Sequence, residues 1–116
     1  CLVSLTTGNS NIALGNQSLI ANTSGGTNCA IGQNALKVNV GGDRNVAIGT
    51  NALMLNQSTN DNTAVGYVAL ASNTASNNSA FGSNSLSSNT TGVSNVAVGY
   101  NTLNNNNNFN YNITKK

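Results

Sequence analysis

The nine residues 45–53, Asn-Val-Ala-Ile-Gly-Thr-Asn-Ala-Leu, carry a pattern that recurs along the whole chain. In general form the motif is Asn-x-Ala-Φ-Gly-x-x-small-Leu, where Φ is a large apolar residue. It occurs six times without gaps, and its Asn, Ala, Gly and Leu are the same in every copy. The copies begin at Asn11, Asn28, Asn45, Asn62, Asn78 and Asn95, at spacings of 17, 17, 17, 16 and 17 residues. Self-similarity at a fixed period is the signature of a repeat architecture.

The same register continues between and beyond the six copies. Each motif leucine is followed three residues later by another asparagine: Asn22, Asn39, Asn56, Asn73, Asn89 and Asn106. Leu2 lies 17 residues before Leu19, and Asn112 falls where a seventh copy would begin. We therefore predict one repeat domain over residues 1–116, with partial repeats at both ends. The 16-residue step removes one residue between Ala71 and Asn78, which we place in a turn.

Within one motif the side chains alternate between a small face and a large face. Alternation with period two is typical of a strand, and the recurrent Gly and Asn disfavour a helix. We predict that each coil contains a short strand, a turn and a second short strand that carries the motif leucine. Stacked at about 4.8 Å per coil, six coils give an all-β parallel β-solenoid, or β-roll, about 30 Å long.

The alternation also predicts which side chains lie inside the coil. Small Ala on one wall leaves room for Leu from the opposite wall, so the predicted interior residues are Ala13, Ala30, Ala47, Ala64, Ala80, Ala97, Leu19, Leu36, Leu53, Leu70, Leu86 and Leu103. The large residues then point outwards and form an apolar stripe, which is typical of an interface: Leu14, Ile31, Ile48, Val65, Phe81 and Val98. The alternative is a monomeric solenoid with the large residues inside and Ala and Gly outside. In either case stacked asparagines are expected to form hydrogen-bonded ladders and left-handed turns.

The composition argues against catalysis and against several classes of ligand. Only 5% of the residues are charged, histidine is absent, and the net charge is +2. With Asp43 and Asp61 as the only acids, no general base, metal centre or cofactor site is expected. The charge is too small to hold a nucleic acid, and we expect no membrane insertion. Cys29 occupies an apolar motif position, so we interpret it as a small buried residue, while a Cys1–Cys29 disulfide remains open.

The motifs at residues 45–53, 62–67 and 78–86 resemble the head repeats of trimeric autotransporter adhesins of the YadA type. They resemble still more the 17-residue repeats of phage and viral tail fibres and of bacterial surface fibres. The resemblance covers essentially the whole chain. It implies a left-handed parallel β-roll, three chains packed around one axis, and an extracellular fibre or head used for attachment. The coil is longer than in the best-known adhesin heads, and no stalk, neck or anchor segment is recognisable.

The resulting functional expectation is a structural and adhesive fibre segment on a cell or virion surface. Its expected partners are its own copies, as a homotrimer or an end-to-end fibre, and a host-surface protein or glycan. The first alternative is a self-assembling cross-β fibre of the functional-amyloid kind, which Asn- and Gly-rich repeats also suit. An ice-binding solenoid ranks last, because such a surface needs a regular Thr array and the Thr here are irregular.

Overall fold

Every coil of the protein contributes one short strand to a single sheet. The computed structural model describes residues 3–116, and among these it contains strands and turns but no helix. The strands are β1 Ile12–Leu14, β2 Cys29–Ile31, β3 Val46–Ile48, β4 Thr63–Val65, β5 Ser79–Phe81, β6 Val96–Val98 and β7 Ile113–Lys115. We call residues 11–27, 28–44, 45–61, 62–77, 78–94 and 95–111 coils 1 to 6.

All strand pairs are parallel and join each coil to the next. The sheet order is β1 to β7 in sequence, and equivalent motif residues are paired, so that Ala47 lies between Ala30 and Ala64. The predicted all-β parallel solenoid is therefore confirmed. Its longest dimension is 38 Å, more than the predicted six coils require, because residues 3–10 and β7 add partial coils at the two ends.

The second strand that we predicted for each coil is absent from the described residues. The motif leucines have a left-handed backbone, with φ of 50° at Leu53, which no strand tolerates. Two tight turns surround it in coil 3. The Ala52 N–H donates to the Gly49 carbonyl at 3.2 Å, and the Asn56 N–H donates to the Leu53 carbonyl at 3.2 Å. The prediction was wrong because alternation shows which way a side chain points but not how tightly the backbone reverses.

The seventh motif position also has a left-handed backbone in every coil. Asn, which tolerates this conformation, occupies it at Asn51 (φ 61°) and Asn84 (φ 57°), whereas Val68 has φ of 60°. A β-branched residue is strained there, at roughly 1–2 kcal/mol. We expect Val68→Asn to raise the free energy of unfolding by about 1 kcal/mol, measured by urea denaturation. The reverse change Asn51→Val should lower it by a similar amount, and equal stability of all three proteins would contradict this explanation.

The core is a narrow layer of alanine and leucine. The motif alanines from Ala30 to Ala97 and the motif leucines from Leu19 to Leu86 are fully buried. At the two ends of the stack Ala13 and Leu103 are half-buried against the same cluster. The structure therefore has alanine inside and the large residues outside, which is the reverse of the alternative orientation. The physical reason is that the narrow core has room for only one leucine opposite each alanine.

A first ladder of buried asparagines fastens each coil to the next. In coil 3 the Asn45 backbone N–H donates to Asn28 Oδ1 at 2.9 Å, and Asn45 Oδ1 accepts the Asn62 N–H at 3.0 Å. Its Nδ2 donates to the Thr59 carbonyl at 2.8 Å and to Asn28 Oδ1 at 3.2 Å. Every motif asparagine from Asn28 to Asn95 is buried. Just before each strand, side-chain amide hydrogen bonds of the ladder therefore take the place of backbone strand pairing.

A second ladder runs through the asparagines that follow the motif leucines. Asn39 Nδ2 donates to Asn22 Oδ1 at 2.8 Å and to the Gly42 carbonyl of its own turn at 3.1 Å. The Gly42 carbonyl also accepts from Asn28 Nδ2 at 2.7 Å, so the two ladders share this acceptor. The predicted asparagine ladders are confirmed. They join the non-strand part of each coil to the neighbouring coil, as strand pairing joins the strands.

Coil 4 shows where its missing residue has been removed. In coils 2 and 5 the second-ladder asparagines donate to a carbonyl three residues later, as Asn89 does to Gly92 at 2.9 Å. Asn73 instead donates to the Ala75 carbonyl, two residues later, at 2.6 Å. Strand pairing stays in register, with Ala64 opposite Ala80. The deletion is therefore in the turn, as predicted, and the pairing of the strands is unchanged by it.

Candidate interaction surface

The outer side of the sheet carries a column of large apolar side chains along the described chain. We call this surface the sheet face; it consists of the second and fourth motif positions of each strand. Its fourth-position residues include Leu14, Ile48 and Phe81, which are 65%, 37% and 42% exposed. Val98 is also exposed, and Ile31 and Val65 are half-buried. All six residues predicted for a trimer interface thus lie in one column on the surface of a single chain.

Charge is absent from the sheet face over its first six strands. The second-position residues lie beside the large column on the same outer side: Ile12, Cys29, Val46, Thr63, Ser79 and Val96. Lysine enters only in the last strand, at Lys115. An exposed stripe of this length, without charges to keep it in water, is typical of a surface that another molecule covers.

A smaller apolar surface, which the sequence analysis did not identify, lies just after the motif leucines in coils 1 to 3. We call it the turn patch and define it as Ile20, Val38, Met54 and Leu55. Leu55 is 44% exposed and the other three are half-buried. Leu53 itself is fully buried in the core cluster, whereas Leu55, two residues later, is exposed. The signal was available in the sequence as a run of apolar residues after the repeat leucine.

The sixth motif position forms a column along the edge of the sheet face, at the residue after each motif glycine. Tyr67 and Tyr100 occupy it in coils 4 and 6, and both are exposed. Asn16 and Gln33 are exposed at the same position in coils 1 and 2. Thr50 and Ser83, the neighbours of Tyr67 in this column, are half-buried.

Asp43, Arg44 and Asp61 lie close together in coils 2 and 3, where Arg44 and Asp61 are exposed and Asp43 is half-buried. The Arg44 Nε and Nη2 donate to the two carboxylate oxygens of Asp61 at 2.7 and 2.9 Å. This hydrogen bonding lowers the pKa of Asp61 and raises the pKa of Arg44. Asp43 Oδ1 accepts the Gly26 N–H at 2.7 Å. An exposed pair of this kind adds little stability, so the cluster joins adjacent coils without forming a reactive site.

Cys29 lies on the sheet face and is half-buried, not fully buried as we interpreted it. The reason is that the second motif position points outwards together with the large column. Its thiol is free. Cys1 and Leu2 lie outside the described residues, and so does the disulfide left open above.

Residues 3–116 contain no group of three or more His, Cys, Asp or Glu that could hold a metal ion. No enclosed cavity lies between these residues either. The same part of the chain includes no helix with the length and hydrophobicity to cross a bilayer.

Comparison with known protein families, curated proteins and solved structures gives no significant match for this chain.

Proposed function

We propose that the chain is a structural and adhesive segment of an extracellular or virion-surface fibre. In this proposal three copies of a left-handed β-roll pack around one axis through their sheet faces. The polar turns and the tyrosine-containing edge column face outwards, towards a host protein or glycan. The role has no catalytic step and needs no cofactor, metal, nucleic acid or membrane insertion.

One observation carries this proposal, namely the largely apolar sheet face, which has no charge over its first six strands. Leaving such a stripe in water is unfavourable by about 25 cal/mol for each Å² of apolar surface. Association through a shared axis removes it from water in every copy at once. The number of copies, three, is suggested by the resemblance of the repeats to trimeric fibre proteins. Three narrow rods can also bring their three apolar stripes together around one axis.

Ile48→Asp should convert the trimer into monomers. The change brings three carboxylates together in a dry interface, where unpaired charge is very unfavourable. Because Ile48 is 37% exposed in the single chain, the coil itself should keep its fold, which circular dichroism checks. Sedimentation velocity measures the association state, with exposed Ser58→Asp in the same coil as the matched control. A folded monomer of the unmodified protein at all concentrations would refute the proposed trimer.

Attachment is tested separately from assembly. The unmodified protein should bind to immobilised surface glycans or host-surface proteins, and Tyr67→Ala with Tyr100→Ala should weaken that binding without changing the sedimentation coefficient. Binding that is unaffected by both changes would exclude the tyrosine column as the attachment surface.

A second candidate function is an open-ended cross-β fibre. The observation that favours it is the in-register parallel ladder, in which β1 and β7 are edge strands that can template further pairing. The two candidates differ in growth. A closed trimer has one defined mass, whereas a cross-β fibre lengthens with concentration and binds amyloid dyes.

A further inference from the structure

The chain contains the sequon of N-linked glycosylation, Asn-x-Ser/Thr, at six asparagines: Asn16, Asn22, Asn56, Asn77, Asn89 and Asn112. In secreted proteins this asparagine accepts a glycan and is therefore expected in an exposed loop. Asn16 and Asn77 are exposed, and Asn112 is half-buried. The three that belong to the second ladder are fully buried, and we call their sequons, residues 22–24, 56–58 and 89–91, the ladder sequons.

At the ladder sequons the side-chain nitrogen that would carry a glycan is already engaged inside the coil. Asn89 Nδ2 donates to Asn73 Oδ1 at 2.7 Å and to the Gly92 carbonyl at 2.9 Å, so both of its hydrogens have partners. Asn22 Nδ2 donates to the Gly25 carbonyl at 2.8 Å. A sugar on either nitrogen replaces one N–H and lies where no solvent reaches.

The space around these side chains is also filled. A Cβ built at Gly92 would lie 2.5 Å from Asn89 Oδ1 and 2.9 Å from Asn95 Nδ2. A Cβ built at Gly25 would lie 2.5 Å from Asn22 Oδ1. Turns without room for a methyl group have none for a sugar ring, so a glycosylated ladder asparagine must leave the core. Its departure opens the turn and leaves buried amides of the adjacent coils without partners, which is unfavourable.

We propose that N-linked glycosylation and folding exclude each other in this chain, so that the protein matures on a route that avoids the glycosylating lumen of a eukaryotic secretory pathway. In that lumen the unfolded chain meets a lipid-linked oligosaccharide. The asparagine Nδ2 forms a bond to the anomeric carbon of the sugar and loses a proton, and the lipid diphosphate leaves. The ladder asparagines then carry sugars before their coils stack. This inference holds for either candidate function and for any number of copies in the fibre.

The experiment produces the natural sequence in cultured animal cells by two routes, in the cytosol and, behind a signal peptide, through the secretory pathway. Peptide mass spectrometry locates the glycans, while circular dichroism and urea denaturation measure folding. The cytosolic protein should be free of glycan and should unfold cooperatively. The secretory protein should carry glycans at the ladder sequons and should lose the cooperative transition.

A rescue variant removes the ladder sequons without changing their asparagines, at three exposed positions: Ser24→Ala, Ser58→Ala and Thr91→Ala. It should fold by both routes, even with glycans on the exposed Asn16 and Asn77. The matched control keeps every sequon and changes the middle residues of the same turns: Thr23→Ala, Gln57→Ala and Thr90→Ala. This control should fold in the cytosol and fail to fold in the secretory pathway, as the natural sequence does.

Three results would overturn the inference. A cooperatively folded chain with a glycan on a ladder asparagine would show that the ladder tolerates a sugar. A folded secretory protein whose ladder sequons stay free of glycan would show that this route is open to the chain. A rescue variant that folds in the cytosol but not in the secretory pathway would place the obstacle elsewhere. None of these results bears on the proposed trimer, which sedimentation of the cytosolic protein tests separately.

Discussion

Gly49→Ala should lower the free energy of unfolding by about 3 kcal/mol or more, from a left-handed backbone and a steric clash together. Gly49 has φ of 130°, a conformation that is essentially restricted to glycine. A Cβ built there would lie 2.5 Å from the Gly66 carbonyl oxygen of the next coil. That oxygen belongs to backbone whose Gly66 N–H donates to the Ile48 carbonyl at 2.8 Å, so it cannot retreat without opening the ladder.

Gly41→Ala is the matched control, in the neighbouring coil. A Cβ there would meet only the Ser24 Oγ, at 3.2 Å, and Ser24 is an exposed side chain that can turn away. Its backbone conformation is open to alanine, so we expect a change within about 0.5 kcal/mol. Urea denaturation at one fixed protein concentration measures both variants. Equal effects at Gly49 and Gly41 would show that the stacked motif glycines are not close-packed.

Asn45→Asp should destabilise the protein by about 3–5 kcal/mol at neutral pH. The substitution keeps the shape of the side chain and the acceptor for the Asn62 N–H. It replaces the donor Nδ2 by an oxygen that faces two acceptors, the Thr59 carbonyl at 2.8 Å and Asn28 Oδ1 at 3.2 Å. The position is fully buried, so water cannot solvate the new negative charge.

The same substitution should make stability depend on pH in a defined direction. Burial and facing acceptors raise the folded-state pKa of the introduced carboxyl above its unfolded value of about 3.9. Below that unfolded value the group is protonated in both states, so the loss is smallest there, and it grows as the pH rises towards the folded-state pKa. A protonated carboxyl can again donate to Thr59. Exposed Asn16→Asp is the control, and a loss at Asn45 that is the same at pH 3.5 and pH 7 would argue against the ladder.

The sequence predicts the repeat, its register and the alternation of each strand because these depend on local spacing. Every motif alanine aligns with its equivalents in a parallel ladder, as Ala47 does with Ala64. The spacing also predicts that the deletion in coil 4 lies in a turn. Removing a residue within a strand would have exchanged the inward and outward side chains beyond the deletion. The large outward residues follow from the same alternation once alanine is placed inside.

The sequence does not predict the left-handed leucines or the turn patch, for different reasons. Backbone propensities would not place a leucine such as Leu53 at a positive φ. Packing against the core keeps Leu53 in this conformation, and that packing exists only when neighbouring coils are present. Leu55 and Met54 have no strict motif around them, and whether they point in or out depends on how the corner is built. Side-chain direction at a corner is set by the backbone turn and not by a period.

The amino-acid order by itself determined that the chain repeats every 17 residues and that asparagine fastens the coils, and it favoured an interior of alanine and leucine over the reverse orientation. Each of these follows from spacing along one chain. Only the tertiary structure decided that each coil has one strand and two turns, and that the two asparagine ladders meet at shared carbonyls such as that of Gly42. It also placed apolar side chains at the surface just after the motif leucines of coils 1 to 3. The physical reason is that the local turns are held in place by hydrogen bonds between residues 14 to 17 positions apart, which form only after the coils have stacked.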